Sequence, residues 1–433
     1  MSDLKVCLLN DSFPPLIDGV GNAVVNYAKN IQKYGGSPYV ATPYYPSVSD
    51  DDFDFPIIRY PSVNMTKLFG YRAGFPFDIP VLKELNQYGF DILHSHCPIA
   101  STMLARSLRE MSGAPLVFTY HTKFDIDIQK VIKTEPLQKM AIKLLVNNIE
   151  ACDEVWVVSN GAGENLRSLG FTGDYRVMAN GVDFERGRAT DAQIQALRAQ
   201  HGIAADETVF LFVGRMMWYK GIRLILDAVK KAKESGNRFR MLFVGDGTDF
   251  SAIQAYAQEL RLGDTCIFAG AERDRDRLRT YFCCASLFLF PSTFDTNGIV
   301  VREAAACGLA SLLIKGSCAA EGITDGQNGI LVPETADAIA QKLQFTCDHP
   351  AVMTEIGMHA MQELYLSWEN AVKYAYAVYG EIHEKHLAGV YTTSKKRVAL
   401  DRAYGMLADL VREVANLQKL PQKLKEKSET DKN

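Results

Sequence analysis

Along most of the chain, short runs of consecutive apolar residues alternate with longer stretches in which apolar positions recur every three or four residues. The runs 5–10, 91–94, 116–121 and 154–159 read as strands. The stretch 20–34, ended by Gly35 and Gly36, and those near 100–111 and 136–149 read as amphipathic helices. Strands without polar alternation are covered on both faces, which calls for a parallel sheet with helices on each side. The pattern then restarts. Runs 208–214, 239–245, 266–270, 287–290, 309–315 and 329–332 predict a second sheet, with a helix over 221–234 after its first strand. A polar interval over 180–205 separates the halves, and the boundary is expected near Arg186. The α/β pattern therefore predicts two Rossmann-like, doubly wound domains, 1–185 and 186–365, with strand C-termini facing a shared cleft. A Tyr- and Ala-rich stretch over 363–385 predicts one long helix. Residues 388–433, with more Lys and Arg than Asp and Glu, predict a basic helical tail that is partly disordered.

Composition adds exclusions. A chain of 433 residues can hold two to three domains. Its net charge of -4 gives no global pull toward nucleic acid. The nine cysteines are scattered, with no C-x-x-C pair, as expected of reduced thiols in a cytoplasmic protein. The start, Met1-Ser-Asp-Leu-Lys-Val6, lacks the basic and apolar segments of a signal peptide. No run approaches the ~20 apolar residues of a membrane span. Membrane contact is thus expected to be peripheral, at the inner face.

The most informative chemistry lies in Phe290-Pro-Ser-Thr-Phe-Asp-Thr-Asn-Gly-Ile-Val-Val-Arg-Glu-Ala-Ala-Ala-Cys-Gly308, a strand end, a polar loop and a short helix. Asp295 and Glu303 flank the helix start, Thr296 or Asn297 is placed to cap it, and Gly298 permits close backbone approach. The amides that follow form an anion cradle. Two acids around such a cradle suit a phosphorylated polyol such as a nucleotide sugar. Arg215 and Lys220, just past the strand 208–214, suit the two phosphates of a leaving diphosphate.

Three further patterns bear on function. Gly19 and Gly21 follow the first strand and would let amides face a phosphate or sugar, but Val24 stands where the dinucleotide fingerprint needs its third glycine. His94, His96 and Cys97 share a short stretch; we read the two histidines as structural rather than as zinc ligands. The D-x-D pairs at Asp52–Asp54, 125–127 and 274–276 read as surface or capping residues, not as a metal site.

Together these pieces resemble the retaining glycosyltransferases of family 4, over roughly residues 5–385. The resemblance runs through the glycine loop, Thr119-Tyr-His-Thr122, Val213-Gly-Arg215 with Lys220-Gly221, Gly245-Asp-Gly247, and the spaced acids leading into Glu303-Ala-Ala-Ala-Cys-Gly308. It implies the GT-B fold, an acceptor-side N-terminal domain, a donor-binding C-terminal domain, and a crossover helix over 366–387. It implies that Arg215 and Lys220 bind the diphosphate and that Glu303 binds the ribose. It further implies that Asp295 and His121 lie by the transferred sugar, and that Gly19, Thr296, Asn297, Gly298 and Ile299 contact the donor. No metal and no other cofactor is implied. Two positions depart from the family: Asp295 stands for the usual Glu, and Asp-Thr-Asn-Gly replaces the commoner Glu-x-Phe-Gly.

The expected reaction is metal-independent, retaining transfer from a UDP-sugar, with UDP-glucose as the donor choice, to a glycan, glycolipid or other hydroxyl acceptor. Lys130, Lys133, Lys139 and Lys143 interleave with Val131, Ile132, Leu137, Met140 and Leu144, which resembles the membrane-facing surface of lipid-glycosylating members. Two alternatives stay open at this point: a nucleotide-sugar epimerase of the same fold, and a catalytically weak sugar-nucleotide-binding regulatory subunit.

Overall fold

The computed structural model describes residues 3–16, 18–66, 72–236 and 238–391. The expected tail therefore lies outside the described residues from 392 onward. The chain divides into two compact units. One comprises 1–156, 166–176 and 373–433, and the other 157–165 and 177–372. The sequence reading put the boundary near Arg186 and a crossover helix over 366–387; the second unit takes in 157–165 and runs on from 177, and the helix Trp368–Leu387 contributes its first turn to the second unit and the rest to the first.

The first unit is built on strands β1 (Lys5–Leu9), β2 (Ser37–Pro43), β3 (Ile57–Tyr60), β6 (Ile92–Ser95), β7 (Leu116–Tyr120), β8 (Glu154–Val157) and β9 (Arg176–Val177). Their order is β3-β2-β1-β6-β7-β8-β9, and a small antiparallel pair, β4 (Ser62–Asn64) and β5 (Arg72–Gly74), stands apart. Val6, Cys7, Leu8 and Leu9 are fully buried, which explains why β1 is an unbroken apolar run. It pairs in parallel with β2 on one side and β6 on the other. Asp18 starts the helix Gly19–Lys33 by accepting from the Gly21 amide at 2.6 Å.

The second unit repeats the plan. Strands β10 (Thr208–Val213), β11 (Phe239–Val244), β12 (Cys266–Gly270), β13 (Leu287–Phe290), β14 (Ser311–Ile314) and β15 (Ile330–Val332) form one parallel sheet, ordered β12-β11-β10-β13-β14-β15. Its core includes Phe210, Phe212, Phe243 and Phe288. The order reverses direction between β10 and β13, so the loops after these two strands separate to opposite faces and leave a crevice at their C-terminal ends.

Three local expectations change. The polar interval contains the helix Asp191–Gln200, begun by a capping box between Thr190 and Gln193. The stretch 363–385 is not one helix: Pro350–Glu363 ends, the chain turns, and Trp368–Leu387 begins. Ser367 Oγ accepts from the Asn370 amide at 3.2 Å, and Leu366 carbonyl accepts from the Val182 amide at 2.9 Å, which fixes the break. The N-cap of the helix Ile299–Ala306 is Gly298, not Thr296 or Asn297, because its left-handed φ of 56° turns the chain in directly.

Candidate functional site

In the second unit, the strand-order reversal brings together what sequence separates. Arg215 and Lys220 follow β10; Asp295 and Glu303 follow β13, its sheet neighbour. Lys220 is buried, and its Nζ lies 2.5 Å from Asp295 Oδ1. The other Asp295 oxygen accepts from Ser292 Oγ at 2.5 Å. Rings of Tyr219 and Phe290 lie 5.5 and 5.9 Å from the ammonium. One of the three ammonium protons is thereby used, and the others remain for a ligand. Arg215 is exposed and, among the described residues, has no ion pair.

The helix Ile299–Ala306 has no side-chain cap, so the leading amides at Ile299 and Val300 keep their positive end of the helix dipole uncompensated. The loop before it is pinned. Ser159 Oγ donates to the Thr296 carbonyl at 2.5 Å, and a Cβ on Gly298 would come within 2.9 Å of Ala319 Cβ. Asn297 is buried, and neither polar atom of its carboxamide has a hydrogen-bond partner among the described residues.

Glu303 lies one turn further along and is buried. Burial pushes its carboxyl pKa up, and Arg275 opposes the shift through an Nη2–Oε1 contact of 2.6 Å. Arg275 also reaches Asp183 at 3.8 Å and lies over the Phe184 ring at 4.2 Å. Sequence reasoning missed Arg275, which sits in an Arg/Asp-alternating stretch with no signal of its own. Asp274 in that stretch caps the helix Arg275–Cys284, accepting from the Asp276 and Arg277 amides, as expected of a capping residue. Asp52 and Asp54 are exposed, also as expected.

In the first unit, His121 follows β7 and is buried. Its Nε2 lies 3.0 Å from His96 Nδ1. His94 bridges Tyr379 at 2.5 Å and Thr119 at 2.7 Å. His94 thus has the structural role expected of it, whereas His96 also holds His121, a link that spacing does not reveal. Burial pushes His121 down to about 3 and lowers His94 and His96 well below the ordinary range, so all three are neutral near neutral pH. Gly19 is exposed at the start of its helix, with nothing within 4 Å of a Cβ placed there. The Gly21 amide is not available to a phosphate, because Asp18 occupies it. Among the described residues, no three His, Cys, Asp or Glu side chains cluster as a metal site.

Comparisons with known proteins fit this arrangement. Residues 193–360 match the family described as glycosyl transferases group 1, and residues 17–186 match glycosyltransferase family 4. An α-monoglucosyldiacylglycerol synthase from Streptococcus pneumoniae is 26% identical over 317 residues, covering 70% of each chain. Another, from Acholeplasma laidlawii, is 23% identical and covers 82% of this chain and 92% of its own. The solved structure of Alr3699/HepE from Anabaena in complex with UDP superposes with a TM-score of 0.70 at 18% identity, covering 87% of this chain and all of that one. At that identity the likeness establishes fold. The two family matches together span most of the chain: it belongs to the group 1, family 4 glycosyltransferases and is a glycosyltransferase of the GT-B fold.

Proposed function

We propose that this glycosyltransferase moves glucose from UDP-glucose, with retention at the anomeric carbon, to the hydroxyl of a lipid or glycolipid acceptor at the inner face of a membrane. The observation that carries the proposal is the convergence, at the strand-order reversal, of Arg215, Lys220, an uncapped helix N-terminus and two acids. Arg215 and the remaining Lys220 protons neutralise the diphosphate as it departs. The Ile299 and Val300 amides add the helix dipole to the same charge. This positive charge comes from the chain itself, and we propose a metal-independent reaction. Glu303 keeps Oε2 for a ribose hydroxyl while Arg275 holds Oε1. Asp295, held by Lys220 and Ser292, lies beside the transferred sugar. The leaving diphosphate departs on the face from which the acceptor hydroxyl attacks, which accounts for retention.

The relatives named α-monoglucosyldiacylglycerol synthases support an α-glucosyl product and a diacylglycerol-type acceptor. So does the helix Glu135–Glu150. Leu137, Met140 and Leu144 are 50%, 55% and 40% exposed on it, at helical spacing, with Lys139 and Lys143 exposed among them. That is the composition of a helix face that rests in a lipid headgroup layer. No helix among the described residues is long and apolar enough to cross a membrane.

A thermal-shift panel with UDP, GDP, ADP and their glucose conjugates tests the donor. A ligand at about 100 times its Kd adds roughly 2.7 kcal/mol to the folded state. The proposal expects the shift with UDP and UDP-glucose. A shift confined to GDP or ADP compounds would replace the donor, and no shift with any nucleotide would overturn the site.

A further inference from the structure

We infer that the side chain of Asn297 is a donor-sugar reader, its carboxamide hydrogen-bonding hydroxyls of the transferred sugar. This rests on the proposed donor site and adds a side chain to it.

Asn297 is 7% exposed, and both its Nδ2 and its Oδ1 are buried without a hydrogen-bond partner among the described residues. Two orphaned amide atoms in one buried side chain are costly, because each forfeits its hydrogen bonds to water on folding. An apolar residue of similar volume would avoid that cost. The position itself gives no structural reason for a polar residue. Asn297 does not cap the helix that follows, since Gly298 does so through its own backbone. It is not a mobile loop amide that could turn to solvent either. Thr296 on one side is tied to Ser159, and Gly298 on the other is packed against Ala319. Asp295, two residues back, is locked by Lys220 and Ser292.

What remains is a ligand with matching groups. A carboxamide presents one acceptor and two donor protons side by side. Adjacent sugar hydroxyls, each both donor and acceptor, match this set. A diphosphate, which only accepts, would leave Oδ1 unsatisfied. The inferred ligand class is therefore the hexose of the donor rather than its phosphates.

The test measures UDP and UDP-glucose binding by titration calorimetry on the full chain, for wild type, Asn297→Leu and Asn297→Ala. The inference predicts that both variants bind UDP within about twofold of wild type and lose about tenfold or more of the UDP-glucose affinity. It also predicts that Asn297→Leu melts no lower than wild type, because an orphaned amide has been replaced by an apolar group. Equal UDP-glucose binding in wild type and both variants would overturn the inference while leaving the donor site intact. So would a lowered melting temperature with UDP and UDP-glucose weakened alike, which is the signature of a structural asparagine. Failure of wild type to bind either compound would instead remove the donor reading on which the inference rests.

Discussion

Removing Arg275 should expose how Glu303 is kept charged. The Glu303 side chain is 10% exposed, and its carboxylate meets the Arg275 guanidinium at 2.6 Å. Deleting one partner of a fully buried pair costs about 3–5 kcal/mol. Arg275 is 44% exposed, so water already screens the pair, and the expected cost of Arg275→Met is lower, about 2 kcal/mol. At roughly 2–4 °C per kcal/mol for a unit of this size, the melting temperature should fall by about 4–8 °C near neutral pH. The pH dependence has a definite sign. Burial raises the Glu303 pKa above the value of an unfolded glutamate, so its ionisation costs stability as pH rises through the folded pKa. Loss of Arg275 raises it further. The deficit of the variant should therefore be largest at alkaline pH and shrink as pH falls and the carboxyl takes up its proton. Differential scanning fluorimetry across a pH series measures it. Adding Glu303→Gln should recover most of the loss, because a neutral amide needs no counter-charge. A deficit independent of pH, or no recovery in the double variant, would refute the electrostatic reasoning.

Arg215→Ala should lose at least about a hundredfold in turnover with no more than about 0.5 kcal/mol change in stability, since the side chain is exposed and, among the described residues, has no ion pair; near-normal turnover would remove its assigned role. With His121 held down to about 3 by burial, the activity–pH profile should show no inflection near 6.5 that disappears in His121→Asn. The three histidines with depressed pKa values contribute stability that is present above the unfolded value of about 6.5 and lost as pH falls below it, so His96→Asn should flatten the acid side of a melting-temperature profile. Replacing Leu137, Met140 and Leu144 with Ser should weaken sedimentation with anionic vesicles roughly a hundredfold, at about 1 kcal/mol for each half-exposed side chain, while leaving UDP binding unchanged.

Much of the fold was legible because strands such as β1 and β10 are buried on both faces and so read as unbroken apolar runs. Strand β2 was not, because Pro38 and Pro43 argue against a strand, yet Pro38 stands only second and Pro43 last. The helix Asp191–Gln200 buries only Leu197, so its polar face dominated, although Thr190 and Gln193 spell its capping box. Within the site, the roles of Arg215, Lys220, Asp295 and Glu303 rested on local motifs and family resemblance. The pairing of Lys220 with Asp295, seventy-five positions apart, comes from strand order, which no local pattern encodes. The Thr296 and Asn297 side chains are common helix caps, and that propensity pointed away from the backbone turn at Gly298. Arg275 and His96 act through partners twenty-eight and twenty-five positions away, so only the folded chain reveals them.

The most direct test of the account is to incubate the protein with UDP-glucose labelled in the sugar, with and without vesicles containing diacylglycerol, and to identify the products by NMR. The account predicts UDP release that depends on the acceptor and a glucosyl lipid with the α configuration of the donor. A β-linked product, or an isomerised sugar nucleotide formed without acceptor, would contradict it.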